Sequence, residues 1–138
     1  MTFRLAAGSL AFLTMISATV SVRACQLPAR WHVMISEGRS EIQLAMLLPQ
    51  APIKVSDPFA IELVICESGG DKIDRVTIDA VMPLHRHGMN YKPIIQDQGN
   101  SRYRAQGLLF HMPGRWQIIA TVYRGNRPAT FKLDVDLQ

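Results

Sequence analysis

Apolar residues alternate with polar ones at several places in this chain, and this restricts those segments to β-strands. Every second residue of 131–137 is large and apolar, and positions 76, 78 and 80 repeat the pattern within 75–81. A period of two puts one set of side chains on a buried face and the other in solvent. No segment after residue 24 has a credible helical pattern, so the sequence predicts an all-β domain.

The candidate strands are short and evenly spaced, and Gly, Pro, Asn, Asp and Ser separate them. They cover 31–35, 41–48, 59–66, 75–81, 102–110, 116–123 and 129–137. In 102–110, we expect Tyr103, Ala105 and Gly107 to share a face, and we interpret 90–100 as an irregular connection. Six or seven such strands without an internal repeat predict an immunoglobulin-like β-sandwich, with Trp116 in its core.

The first 24 residues have the layout of a secretory signal peptide. Arg4 gives a positive start, Leu5 to Val20 is apolar, and the small residue Ala24 precedes the expected cleavage point. We therefore predict a cleavable signal helix over 1–24 and one domain over 25–138, located in the periplasm or secreted. A membrane-anchored form is the alternative, because the apolar run is close to the ~18 residues that a spanning helix needs.

Charge argues against a nucleic-acid partner. Without Arg4 and Arg23 of the signal, the 15 Lys+Arg fall to 13, against 11 Asp+Glu, which leaves a net charge of +2. Nucleic-acid binding proteins need a basic patch or stripe, and the chain has no basic run.

Export also decides how the two cysteines are interpreted. Cys25 would be the first residue of the mature chain, and Cys66 ends a predicted strand. In an oxidising compartment two cysteines most simply form one disulfide. Two alternatives stay open, a lipid anchor on Cys25 and a pair of free or metal-binding thiols.

Histidine and methionine are concentrated in two short segments. The first His/Met window is Met82–Asn90 and the second is Phe110–Trp116; together they hold three of the four histidines and three of the seven methionines. Imidazole and thioether are ligands that suit copper, Cu(I) in particular. The candidate metal ligands are His85, His87, Met89, His111, Met112 and Met82.

Each of these residues also has an interpretation without metal. Met82 and Met112 adjoin prolines at strand ends, where a methionine often fills a gap in the core. His32 has no neighbouring candidate ligand and is interpreted as structural or exposed. A zinc enzyme with His85, His87 and His111 would lack a general base, and no catalytic signature is present, so we expect no enzymatic activity.

The two windows carry a family resemblance. Met-Pro-x-His-x-His-Gly-Met-Asn-Tyr from Met82, followed by Tyr-Arg-Ala-x-Gly-Leu-Leu-Phe-His-Met-Pro-Gly-Arg-Trp from Tyr103, resembles the YtkA-like domain of exported bacterial proteins. The resemblance covers roughly 59–137 and implies a β-sandwich, an exported location and an association with copper. Similarity to FixH-type accessory proteins implies a copper-accepting or membrane oxidase-assembly protein as partner.

Cationic and aromatic side chains near the windows support a second hypothesis. They could form a pocket for an anionic ligand, or a face for a partner protein, in a periplasmic accessory module. These residues are Arg86, Lys92, Arg102, Arg104, Arg115, Tyr91 and Tyr103.

The copper hypothesis makes a geometric prediction. Segments 75–81 and 102–110 each end where a window begins. If both strands run toward the same end of the sandwich, His85 or His87 will lie within a few ångströms of His111 or Met112.

Overall fold

The strands form two antiparallel sheets whose inner faces enclose a common core. The computed structural model describes residues 25–35, 42–67, 72–85 and 87–138, so the predicted signal lies outside the described residues. The strands are β1 (His32–Ile35), β2 (Ile42–Leu47), β3 (Phe59–Glu67), β4 (Arg75–Met82), β5 (His87–Gly88), β6 (Ile94–Gly99), β7 (Arg102–Leu108), β8 (Gly114–Arg124) and β9 (Arg127–Leu137). The first sheet has the order β1-β2-β3-β7-β6, and the second sheet has the order β5-β4-β8-β9.

The strand order is that of an immunoglobulin-like sandwich. In this fold strands A, B, E and D form one sheet, and C, F and G form the other. Here β2, β3, β7 and β6 take the places of A, B, E and D, while β4, β8 and β9 take those of C, F and G. No residue in the described ranges is helical. The predicted fold class is confirmed.

Alternation produces the core as the sequence predicted. On β8 every second side chain from Trp116 to Val122 is buried, and β4 shows the same period from Val76 to Met82. Trp116 is fully buried and stacks on Phe110, with ring centroids 4.6 Å apart and ring planes 7° apart. Its predicted core position is confirmed.

A bulge at Gly107 changes which face of β7 is buried. Ala105 is buried, but the next buried residues are Leu108 and Phe110, three and five positions on. The pairing of β3 with β7 skips Gly107, which has a φ of +83° that a glycine adopts without strain. The expectation that Gly107 shares the buried face with Ala105 was therefore wrong, because the extra residue re-aims the chain toward the core.

The predicted irregular connection 90–100 was also wrong, since it contains β6. This edge strand is exposed at all but one position, Ile95, so it shows no apolar alternation. It joins β7 through Asn100 and Ser101, whose φ angles of 52° and 60° are those of a two-residue hairpin loop. With the two-residue β5, this strand raises the number in the described residues from the expected six or seven to nine.

A disulfide and apolar packing hold the N-terminal segment against the outer face of the first sheet. Cys25 and Cys66 form a disulfide, as predicted, so the Cys25 sulfur is not free to carry a lipid. Leu27 and Trp31 pack on the outward side chains of β2 and β3, which makes a second, smaller apolar cluster. Among the described residues no helix has the length and apolar character to cross a membrane.

Loss of this disulfide should reduce stability substantially. A crosslink between residues 41 apart restricts the unfolded chain, and this is worth about 4 kcal/mol on the loop-entropy model. We expect Cys25→Ala/Cys66→Ala to lower the free energy of unfolding in urea by roughly that amount. Reduced wild-type protein is the matched control and should behave like the double variant; a loss below about 1 kcal/mol would contradict the expectation.

A close contact between β4 and β8 gives a second prediction. Gly114 has a φ of +116°, and a Cβ built on it would lie 3.0 Å from Cε of Met82. We expect Gly114→Ala to destabilise the domain by about 1–3 kcal/mol, from backbone strain together with this contact.

Two comparisons separate the strain from the contact. Gly125→Ala has open space around it and a φ of +54°, in the left-handed region that L residues can adopt, so it should show a milder strain without any contact. In a Met82→Ala background the contact is removed, so Gly114→Ala should then cost less than it does in the wild type. Equal losses from Gly114→Ala in both backgrounds would show that the Met82 contact is unimportant.

Candidate metal site at the meeting of two His/Met windows

The sandwich brings the two windows to the same end. The end of β4 pairs with the beginning of β8, where Val81 lies opposite Gln117. The second window directly precedes this part of β8, and β7 runs into that window. Strands β4 and β7 therefore end at the same end of the sandwich, in different sheets, which is the arrangement that the geometric prediction requires.

The first window is a tight hairpin at the edge of the second sheet. The backbone N–H of His85 donates to the carbonyl of Met82 over 3.2 Å, and this closes the turn. His87 then pairs with Met82 in the short β5, and the N–H of Met89 donates to the carbonyl of Ala80 over 2.8 Å. These backbone bonds hold His87 and Met89 on an exposed edge beside the second window.

His87 and His111 are brought together from the two windows. Their ring centroids are 6.3 Å apart, and their planes stand at 87°. The His87 side chain is exposed, whereas Nδ1 of His111 is buried and has no hydrogen-bond partner. A buried nitrogen without a partner is costly, whichever tautomer the ring adopts. Nδ1 of His111 therefore lacks an acceptor if it carries the proton, and lacks a donor or a metal ion if it does not.

The core holds His111 firmly in place. Its ring packs edge-on against Trp116, with centroids 5.3 Å apart. The indole Nε1–H of Trp116 donates to the backbone carbonyl of Met112 over 3.0 Å. The carbonyl of Phe110 also accepts a bond from the N–H of Ser56, over 2.8 Å. The second window is thus bonded on both sides of His111, a constraint that sequence analysis missed.

Met89 places a thioether sulfur against the second window. Its Sδ accepts a weak hydrogen bond from the N–H of Leu109 over 3.5 Å, and its side chain is half-buried. Leu109 is two residues before His111, so this sulfur spans the space between the windows. Sulfur has a further lone pair, which leaves Met89 able to bind a soft ion.

The other predicted ligands are placed differently. Met82 is 2% exposed and belongs to the core, which agrees with its interpretation as a core residue rather than as a ligand. Met112 is half-buried and packs on the same core. His85 lies exposed in the turn, and His32 lies exposed on β1.

Over the described ranges, no three side chains of His, Cys, Asp or Glu are grouped so that they could hold a metal ion. The zinc site made of three histidines is therefore not formed there.

Two of the cations that the anion hypothesis needs already form ion pairs with carboxylates. Arg104 pairs with Glu62 over 3.0 Å, and Arg115 forms two bonds to Asp136, of 3.0 and 3.4 Å. The hydrogen bond to Asp136 raises the pKa of Arg115. Arg104 and Arg115 belong to different sheets, and Arg86 lies outside the described residues.

Tyr103 also fits an anion pocket poorly. Burial is the main cause that raises the pKa of its phenol, and the negative charges of Asp97 and Glu67 add to the effect. An anionic ligand would meet the same repulsion. Arg104, Arg115 and Tyr103 therefore give little support to the anion hypothesis, which stays a prediction for Lys92, Arg102 and Tyr91.

Comparison with known proteins adds little to this geometry. No family model and no curated protein matches the chain, so the resemblance to YtkA-like domains stays a prediction. Two solved structures have a related arrangement. A DUF4426 family protein from Pseudomonas aeruginosa PAO1 is 14% identical, with a TM-score of 0.48, over 75% of this chain and 94% of that one.

The other is FetP from uropathogenic E. coli strain F11, recombinantly expressed in the periplasm of E. coli. It is 12% identical, with a TM-score of 0.44, over 80% of this chain and 96% of that one. At TM-scores below 0.5 neither likeness supports an argument about this chain. The assignment of the site therefore depends on its own residues.

Proposed function

We propose that this protein is an exported, non-catalytic copper-binding protein that holds or hands on one ion at His87 and His111. The observation that carries the proposal is the approach of these two rings from separate windows, with the buried Nδ1 of His111 lacking a partner. Metal–nitrogen bonds of about 2.0–2.1 Å place two imidazoles on one ion with ring centres roughly 5–6 Å apart. The observed 6.3 Å is close to this range.

The neighbouring thioethers favour copper over other metals. Met89 lies against the second window, and Met112 follows His111 directly. Thioether is a soft ligand that copper accepts and that magnesium, calcium and manganese do not favour. His85 stays a predicted ligand on the exposed turn, while Met82 is left out because it belongs to the core.

The exported location is part of the proposal. The signal-like layout of 1–24 supports it, and so does the Cys25–Cys66 disulfide, since such bonds persist in oxidising compartments. A copper-accepting or membrane oxidase-assembly protein is the partner that fits this location, and transfer to it would use the exposed His87.

Copper content of the purified protein tests the site. We expect one copper per chain in protein exported from copper-supplemented cells, and a loss of at least about 100-fold in affinity for His87→Ala or His111→Ala, since each removes a ligand. Elemental analysis and competition with a chelator measure both quantities.

His32→Ala is the matched control, because His32 is an exposed histidine on β1, away from both windows. Its copper content should equal that of the wild type. Copper binding by both proteins should persist in concentrated sodium sulfate, which screens exposed charges. Wild-type copper binding by both His87→Ala and His111→Ala would refute the proposed site. If binding depended on Arg102 and was lost in salt, the anion hypothesis would be favoured.

Processing of the N-terminus tests the location. We expect the exported protein to begin at Cys25, because Ala24 is a small residue at the expected cleavage point. Intact mass and N-terminal sequencing of the periplasmic fraction measure this. Retention of Met1 to Ala24 in a membrane fraction would show that the segment is an anchor.

A further inference from the structure

We infer that the site selects a soft monovalent ion, Cu(I) or Ag(I), bound by a ring nitrogen of His87, Nδ1 of His111 and Sδ of Met89. This inference rests on the proposed function and adds the oxidation state and the third ligand. Three independent features of the described residues support it: the donor set, the local charge and the position of the Met89 sulfur.

The donor set is smaller than the sets that hold Zn(II) in proteins. Zn(II) in proteins takes four ligands in structural sites and three protein ligands in catalytic ones, from His, Cys, Asp and Glu. At this end of the sandwich no three such side chains are grouped among the described residues. Cys25 and Cys66 are joined to each other, so neither supplies a thiolate. Cu(I) needs fewer ligands and accepts thioethers, which remain at the site.

The local charge also disfavours a divalent ion. Both windows lie within stretches that contain no Asp or Glu, residues 80–96 and 98–133. Two acids on strands that adjoin the windows have partners of their own: Oδ1 of Asp79 accepts a bond from the N–H of Ala80 over 2.7 Å, and Asp136 binds Arg115. Imidazole and thioether are neutral donors and Arg115 is already paired with Asp136, so the charge left uncompensated on a divalent ion is about twice that on a monovalent one.

Met89 is the thioether best placed to complete the site. It is two residues from His87, and in an extended segment these side chains point to the same side. Its sulfur already lies 3.5 Å from the N–H of Leu109 in the second window. Met112 is less suited, because its own carbonyl is tied to Trp116 and its side chain packs on the core.

Trp116 provides a direct signal of occupancy. Its ring is 5.3 Å from that of His111, so an ion on this imidazole lies close to the indole and should quench its fluorescence. The other tryptophan, Trp31, belongs to the outer cluster beside the disulfide. A Trp31→Phe background therefore reports on Trp116 alone.

The test is a titration of the disulfide-intact exported protein, in the Trp31→Phe background, with Ag(I), with Cu(I) under anaerobic conditions, with Cu(II) and with Zn(II). We expect Ag(I) and Cu(I) to bind one per chain and to quench Trp116, and Cu(II) and Zn(II) to bind at least about 100-fold more weakly. Met89→Leu keeps the shape of the side chain but removes the sulfur, and should weaken Ag(I) and Cu(I) binding at least about tenfold. Met46→Leu, at a fully buried methionine of β2, is the matched control and should change neither.

The outcomes separate this inference from the proposed function. Cu(II) or Zn(II) binding as tight as Cu(I), lost in His87→Ala and His111→Ala, would overturn the inference and leave the metal site intact. Unchanged Ag(I) binding in Met89→Leu would overturn the third ligand. If no ion bound, or if binding ignored both histidines, the proposed function would fail as well.

Discussion

The candidate site depends on how Trp116 is held between the core and the second window. Its indole is fully buried and stacks on Phe110, so its position is set by the packing of the sandwich. From there it binds the carbonyl of Met112 and supports one edge of His111. A buried indole usually finds a partner for its N–H, and here that partner lies in the window itself. Core packing and ligand position are thus a single constraint.

The two histidines of the pair differ in how firmly their surroundings hold them. His111 belongs to a segment that hydrogen bonds and aromatic contacts hold on both sides, whereas His87 lies on the exposed two-residue β5. A preorganised ligand lowers the cost of binding, and an exposed one can be reached by a partner protein. An arrangement with one anchored and one exposed imidazole suits a protein that both holds an ion and passes it on.

The bulge at Gly107 affects the position of the second window through the register of β7. Without the extra residue, strict alternation after Ala105 would bury Gly107 and Leu109 and turn Leu108 and Phe110 outward. With it, Leu108 and Phe110 are buried and Phe110 stacks on Trp116. The register of β7 against β3 therefore helps to place His111.

Local patterns in the sequence predicted most of the fold. The period of two placed β4 and β9 to within a few residues, because a half-buried strand must alternate, and apolar segments bounded by turn residues placed β2, β3 and β8 equally well. It missed β6, an edge strand that is exposed on both faces and so has no apolar pattern. The hairpin loop at Asn100 and Ser101 was the one local signal of that strand.

The sequence by itself determined which side chains could form a site and that two windows would carry them. It also predicted the disulfide as the simplest of three uses for two cysteines, and the structure contains that bond. Only the tertiary structure decided that His87 meets His111, that Met82 is a core residue, and that Arg104 and Arg115 are paired with carboxylates. These outcomes depend on contacts between segments about 20 to 40 residues apart, and the spacing within either window does not contain them.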